Sequence, residues 1–247
     1  VTLDKTPLKI AMWSGPRNLS TAMMYSFAQH PDCEVWDEPF YAAYLKETGL
    51  DHPMGAEILL AGDQDPKTVI AKCTAQGPQG RPVFYQKHMT QHMTPNVDRS
   101  WITQMTNVFL IRHPARVLAS YDKKRGNPTL DDIGFQQQAE LINLVTAHSG
   151  TAPLIIDSAD IRANPEKMLR LLCDKIGMAF HPEMLSWAKG GHPQDGVWAS
   201  HWYGAVWNST GFAGAEGPLP EVSENLQPVL HSALDIYNRI ALHKINP

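Results

Sequence analysis

The chain has 247 residues, 43% of them hydrophobic and 19% charged, which is enough apolar material for a sizeable core and too much for a disordered polymer. No apolar run approaches the roughly 18 residues that cross a bilayer, and 21 Lys and Arg against 25 Asp and Glu leave a net charge of −4. No global field therefore attracts nucleic acid or an anionic membrane, and any anion is expected to be held by a local site.

The N-terminal stretch, residues 1–9, shows no basic segment followed by an apolar one, so no secretory leader is read there. Cys33, Cys73 and Cys173 form no Cys-x-x-Cys pair, which suits a reducing compartment and makes the cytoplasm the expected location. Residues 8–13 read as a short buried strand ended by Ser14-Gly15-Pro16, and 18–29 as a helix with Leu19, Ala22, Met23 and Phe27 at helical spacing before Pro31. A second strand is expected over 33–36 and a helix over 39–50. Further strands are expected over 82–86 and 107–112, then helices over 114–124 and 130–148, the first opened by a proline. A last strand covers 153–156 and a helix 165–176, stopped by Gly177. Residues 190–220 break the pattern. They are rich in Gly and Pro and hold Trp198, His201, Trp202, Tyr203 and Trp207, which suggests a functional loop or lid rather than disorder. A terminal helix spans 223–243. Strands alternating with helices predict an α/β fold with a mostly parallel sheet, and the absence of repeats or linkers predicts one domain over residues 1–247.

Two strand-to-helix junctions carry anion-binding chemistry. Gly15, Pro16, Arg17, Asn18, Leu19, Ser20 and Thr21 lie at the first, where unpaired backbone N–H groups and the helix dipole favour an anion. There Arg17 adds a planar charge, and the Ser20 and Thr21 hydroxyls add donors. No Walker A pattern can be written across this segment. At the second junction Arg112 ends a strand and Ser120 lies two turns into the next helix, so both can converge on one phosphate.

These segments resemble those of the sulfotransferases that use 3′-phosphoadenosine-5′-phosphosulfate (PAPS). The family's first loop reads Pro-Lys/Arg-Ser-Gly-Thr-Thr and holds the 5′-phosphosulfate, against Pro16-Arg17-Asn18-Leu19-Ser20-Thr21 here. Its second signature, an Arg followed by Pro and Arg with Ser eight residues after the first Arg, grips the 3′-phosphate, against Arg112-His113-Pro114-Ala115-Arg116 and Ser120. A third block, Ile155-Ile156-Asp157-Ser158-Ala159-Asp160-Ile161 with Asn164-Pro165, is also similar. The resemblance covers residues 8–178 and implies a three-layer α/β/α, P-loop-like nucleotide-binding fold with a central, mostly parallel sheet. Two departures stand out. Leu19 occupies the family's Gly position, which predicts a backbone without positive φ there and a rebuilt first loop. The Arg-Lys-Gly element that closes over the nucleotide is missing, and Ser209, Thr210 and Gly211 are expected in its place.

Sulfuryl transfer is an in-line displacement in which a protein positions reactants, neutralises charge on the leaving oxygen and removes a proton from the acceptor. Arg17 and Lys87, the latter placed just after a strand, are the expected cationic stabilisers. Glu38, among Trp36, Phe40 and Tyr41, is the preferred general base, with a pKa raised by partial burial. His88 is the competitor. Trp198, His201, Trp202, Tyr203 and Trp207 are expected to build part of the acceptor pocket, in one version a cage for a cationic or aromatic acceptor. His88 and His92 have metal-like spacing but no third ligand, and no metal is expected. The expected co-substrate is PAPS and the expected partner a small-molecule acceptor, with a homodimer left open and neither nucleic acid nor membrane involved. A catalytically silent nucleotide-binding or interaction protein on the same fold is the alternative, and an ATP-using kinase a more distant one.

Overall fold

A computed structural model describes residues 6–246, apart from the side chains of Lys124 and Arg125. The leader reading made on residues 1–9 lies partly, at residues 1–5, outside the described residues. Five strands, β1 (Leu8–Ser14), β2 (Cys33–Asp37), β3 (Val83–Met89), β4 (Thr106–Ile111) and β5 (Leu154–Asp157), form one sheet in the order β2-β3-β1-β4-β5. Every neighbouring pair is parallel, so the sheet is wholly parallel and needs helices on both faces.

The strand residues alternate between two apolar layers. Ile10, Met12, Tyr85, Val108 and Leu110 pack towards α1 (Ser20–Ala28), where Met23, Met24 and Phe27 are buried. Ala11, Trp13, Phe109, Ile111 and Ile155 pack on the other side. The connection from β2 to β3 carries α2 (Tyr41–Thr48), α3 (Gly55–Ala61) and α4 (Pro66–Thr74). They are followed by α5 (Pro114–Arg125), α6 (Phe135–Ser149), α7 (Ser158–Ala163) and α8 (Pro165–Ile176). Residues 190–220 contain two single-turn helices, α9 (Ala199–Trp202) and α10 (Gly204–Trp207), and α11 (Gln227–Ala241) closes the chain. The apolar stripe of α8 is buried through Met168, Leu169, Leu172, Cys173 and Ile176, and α11 lies against α6 and α5 through Ile236, Tyr237 and Ile240.

The α/β reading is borne out, with several corrections. Helices α3, α4 and α7 were not read from the sequence: each buries only one or two side chains, Ile58 in α3, Val69 and Cys73 in α4, Ser158 and Ile161 in α7, so no apolar stripe marks them. The helix expected over 130–148 begins at Phe135, after Gly134 at φ 69. The third strand runs on to Met89, so Lys87 and His88 lie inside β3 and not beyond it. Among the described residues no helix is long and apolar enough to cross a membrane.

Candidate active site

A cavity of about 220 Å³ opens at the carboxyl ends of β1 and β3 and the start of α1. One wall is the first strand-to-helix loop. Gly15 is required there because a Cβ would sit 2.3 Å from the Ile133 carbonyl oxygen. Arg17 (φ 65) and Leu19 (φ 75) both adopt the left-handed conformation. The rebuilt loop expected from Leu19 is thus corrected: the chain keeps a positive φ with a leucine, at a cost of about 1–2 kcal/mol for a residue with a Cβ. Leu19 packs onto the apolar layer beneath the sheet, which offsets part of that cost. No side chain caps the α1 N-terminus, so its first N–H groups face the cavity side unsatisfied by a cap.

Arg17 lines the cavity with Asn18, Ser20, Thr21, Arg112 and Ser120. Its Nε donates to Ser120 Oγ at 2.9 Å, and Arg112 Nη1 donates to the Arg17 carbonyl at 2.7 Å. The two sequence-distant anion elements therefore form one surface. Burial, and then the neighbouring Arg112 charge, lower the Arg17 pKa, and among the described residues no carboxylate pairs with Arg17. Arg112 is paired with Glu216, so of the two Arg17 is the charge left without a carboxylate partner, and a bound anion would stabilise it.

The opposite wall holds a buried acid–base cluster. Strand alternation sends Lys87 towards the cavity, where its Nζ donates to Asp37 Oδ1 (2.9 Å), Glu38 Oε1 (2.5 Å) and Tyr203 Oη (2.8 Å). The Tyr203 hydroxyl donates in turn to Asp37 Oδ2 at 2.8 Å and accepts from Trp198 Nε1 at 3.0 Å. Burial raises the Glu38 pKa, with Lys87 opposing and Asp37 reinforcing the rise. Burial works against the Lys87 ammonium, but Asp37 and Glu38 outweigh it and hold its pKa above the ordinary value. The proton thus stays on nitrogen while Glu38 is a stronger base than an exposed carboxylate.

His88 points the other way. It stacks on Trp13 at 4.5 Å between centroids, contacts Phe40 and Trp101, and bonds Gln86 Oε1 at 3.1 Å. Burial, and then Lys87, push its pKa down to about 3, so it is a neutral core residue outside the cavity. His92 lines the cavity, stacked between Tyr41 and Tyr44 at 4.8 and 4.7 Å, and burial holds it well below the usual imidazole range.

Of the aromatic candidates, Trp202 and Tyr203 line the cavity. Trp198 packs edge-on against Tyr41, and Trp207 Nε1 donates to Asp195, which also accepts from Tyr25. His201 meets Trp202 edge to face at 4.6 Å without lining the cavity. The segment 190–207 is therefore clamped at Asp195 and at Tyr203, and a several-tryptophan cage is not assembled. Ser209, Thr210 and Gly211 are also elsewhere: Thr210 and Gly211 pair with the backbone of Trp187 and Ser186, and Ser209 Oγ accepts from Trp187 Nε1. Residues 214–217 meet Arg112 instead, through Glu216. Asp37, Arg162 and Glu216 were not picked out in the sequence. Asp37 was legible as the neighbour of Glu38, whereas the other two carry no local signal.

Among the described residues no group of three or more His, Cys, Asp or Glu is placed to hold a metal ion. Two proteins of Arabidopsis thaliana, branched-chain-amino-acid aminotransferase-like proteins 2 and 1, are each 35% identical to this chain over 95% and 96% of its length. The chain spans only 41% and 42% of those proteins. Among solved structures, the sulfotransferase domain from the curacin biosynthetic pathway is similar over 99% of this chain and 100% of its own, with a TM-score of 0.59 at 17% identity. The sulfotransferase domain of the Synechococcus PCC 7002 olefin synthase is similar over 94% of each chain, with a TM-score of 0.52 at 19% identity. Both likenesses concern the fold, the P-loop-like α/β/α architecture. The sulfotransferase domain model matches residues 8–243, nearly the whole described span, and the chain belongs to that family.

Proposed function

We propose that the chain moves a sulfuryl group from PAPS to a hydroxyl or amine of a small-molecule acceptor. The observation that carries this reading is the pairing, across one cavity, of a two-arginine surface backed by an uncapped helix N-terminus with a buried carboxylate that stays basic. Arg17, Ser20, Thr21, Arg112 and Ser120 fit the phosphates of such a donor, since all are cationic or hydroxyl donors. When bound, the donor supplies a sulfuryl group attached to a phosphate that leaves well. Glu38 accepts the proton of the attacking hydroxyl or amine, Lys87 retains its charge beside Glu38 and holds that carboxylate in place, and Arg17 faces the leaving phosphate. Tyr41, Met89, Trp202 and Val206 give the acceptor side apolar walls, which suits a small uncharged acceptor.

Calorimetric titration with adenosine 3′,5′-bisphosphate tests the donor site. Binding that is lost in Arg112→Ala is expected, followed by transfer of label from PAPS in a screen of alcohols, phenols and amines. Binding without transfer to any acceptor class would leave a silent nucleotide-binding protein, and binding of ATP with Mg²⁺ in place of the bisphosphate would favour a kinase.

A further inference from the structure

Glu216 lies in an exposed Gly- and Pro-containing stretch, yet its own side chain is only 4% exposed. Three arginines from three places in the chain enclose it. Arg112, at the end of β4, reaches Oε1 through Nε at 3.1 Å and again through Nη2. Arg162 of α7 reaches the same oxygen at 2.9 Å, and Arg116 of α5 reaches Oε2 at 2.8 Å. The backbone follows the carboxylate: Arg162 Nε donates to the Gly214 carbonyl at 2.9 Å, and Arg116 Nη2 donates to the Gly217 carbonyl. These arginine contacts tie residues 214–217 to the body of the protein.

One carboxylate facing three guanidiniums leaves the cluster cationic. It also offers two oxygens where three forks converge. A phosphate monoester carries about −1.5 to −2 charges and three acceptor oxygens, and so matches both the charge and the geometry of the cluster better than Glu216 does. Arg112 makes the link to the cavity, because its third nitrogen holds the Arg17 carbonyl. The family resemblance already puts the donor's 3′-phosphate at Arg112; we propose that Glu216 is the resident counter-ion of Arg112, Arg116 and Arg162 and that this phosphate displaces it on binding. The exchange trades one paired anion for another and leaves no buried arginine uncompensated at either end. Discrimination follows, since a nucleotide lacking that phosphate cannot displace the carboxylate. This inference rests on the donor reading above.

The test compares adenosine 3′,5′-bisphosphate with adenosine 5′-monophosphate by calorimetric titration. Glu216→Gln removes the competing charge at constant size and is expected to bind the bisphosphate about tenfold more tightly, with the monophosphate unchanged. Glu216→Asp, which keeps the charge but shortens its reach, is expected to fall between wild type and Glu216→Gln. Arg162→Ala is expected to weaken the bisphosphate about tenfold and leave the monophosphate alone. Bisphosphate binding that is unchanged or weaker in both Glu216 variants overturns the exchange, as does an equal gain for both nucleotides. A wild-type chain that binds neither nucleotide overturns the donor reading itself and this inference with it.

Discussion

Glu38 sits at φ 39, a conformation that residues with a Cβ seldom adopt, and its backbone is held on both sides. Its N–H donates to the Lys87 carbonyl at 2.9 Å and its carbonyl accepts from Tyr41 at 3.1 Å. Local strain persists where surrounding contacts over-determine it, and here it aims a carboxylate into the cavity. Glu38→Gln is expected to lower kcat by about 10²–10⁴, the usual contribution of a general base. Because burial raises the Glu38 pKa, the acid limb of kcat/KM should lie above the ordinary carboxylate value of 4.5, with activity rising as pH increases through it. The Tyr203 hydroxyl lies 3.2 Å from Glu38 Oε1 and stabilises the charged form. Tyr203→Phe should therefore move that limb to higher pH, whereas a merely structural role would lower activity without shifting the profile. Glu38 and Lys87 were legible from their places near strand ends. The choice against His88 depended on one residue of strand length, because neighbours in a strand face opposite sides of the sheet.

At the level of elements, the first loop shows how close packing can stand in for a favourable local sequence. Gly15→Ala would drive a Cβ against the Ile133 carbonyl, and backbone on backbone has no flexible end to yield. A loss of about 1–3 kcal/mol in denaturant-induced unfolding is expected, the range for strained or overpacked sites, together with weaker bisphosphate binding because Arg17 and Asn18 are displaced. The segment 190–207 behaves similarly. Its aromatic content was visible in the sequence, but its work is done largely by fastening: Tyr25 Oη to Asp195 Oδ2 at 2.6 Å, Asp195 to Trp207 at 3.0 Å, and Trp198 to Tyr203 at 3.0 Å. Which aromatics reach the cavity was decided by these polar ties, and no spacing rule predicts them. The Pro-led helices α5 and α8 were readable because proline at the first turn and Gly177 after the last one are local signals.

At the scale of the molecule, the parallel order β2-β3-β1-β4-β5 gathers the ends of β1, β3 and β4 at one edge, the usual place for ligands in an open α/β sheet. A ligand held there joins β1, β4 and α5, and at a hundred times its Kd should add about 2.7 kcal/mol of stability. In thermal unfolding that corresponds to a rise in Tm of about 5–10 °C for a chain of this size, and Arg112→Ala should abolish it. The Glu216 pKa lies below its ordinary 4.5: burial works to raise it, but the Arg112 hydrogen bond and the charges of Arg112, Arg116 and Arg162 prevail. Its contribution to stability is therefore full above about pH 4.5 and lost as pH falls through the lowered value, so Glu216→Gln should flatten acid unfolding monitored in that range. Local information in the chain determined the alternation of strands and helices, the two arginine-bearing junctions and the carboxylate beyond the second strand, because each depends on residues within a turn or two of one another. Only the tertiary structure decided which side of β3 faces the cavity, which aromatics line it, and that Glu216 meets arginines 54 to 104 residues away. Those outcomes come from packing and charge pairing between distant segments, on which neighbouring residues leave no imprint.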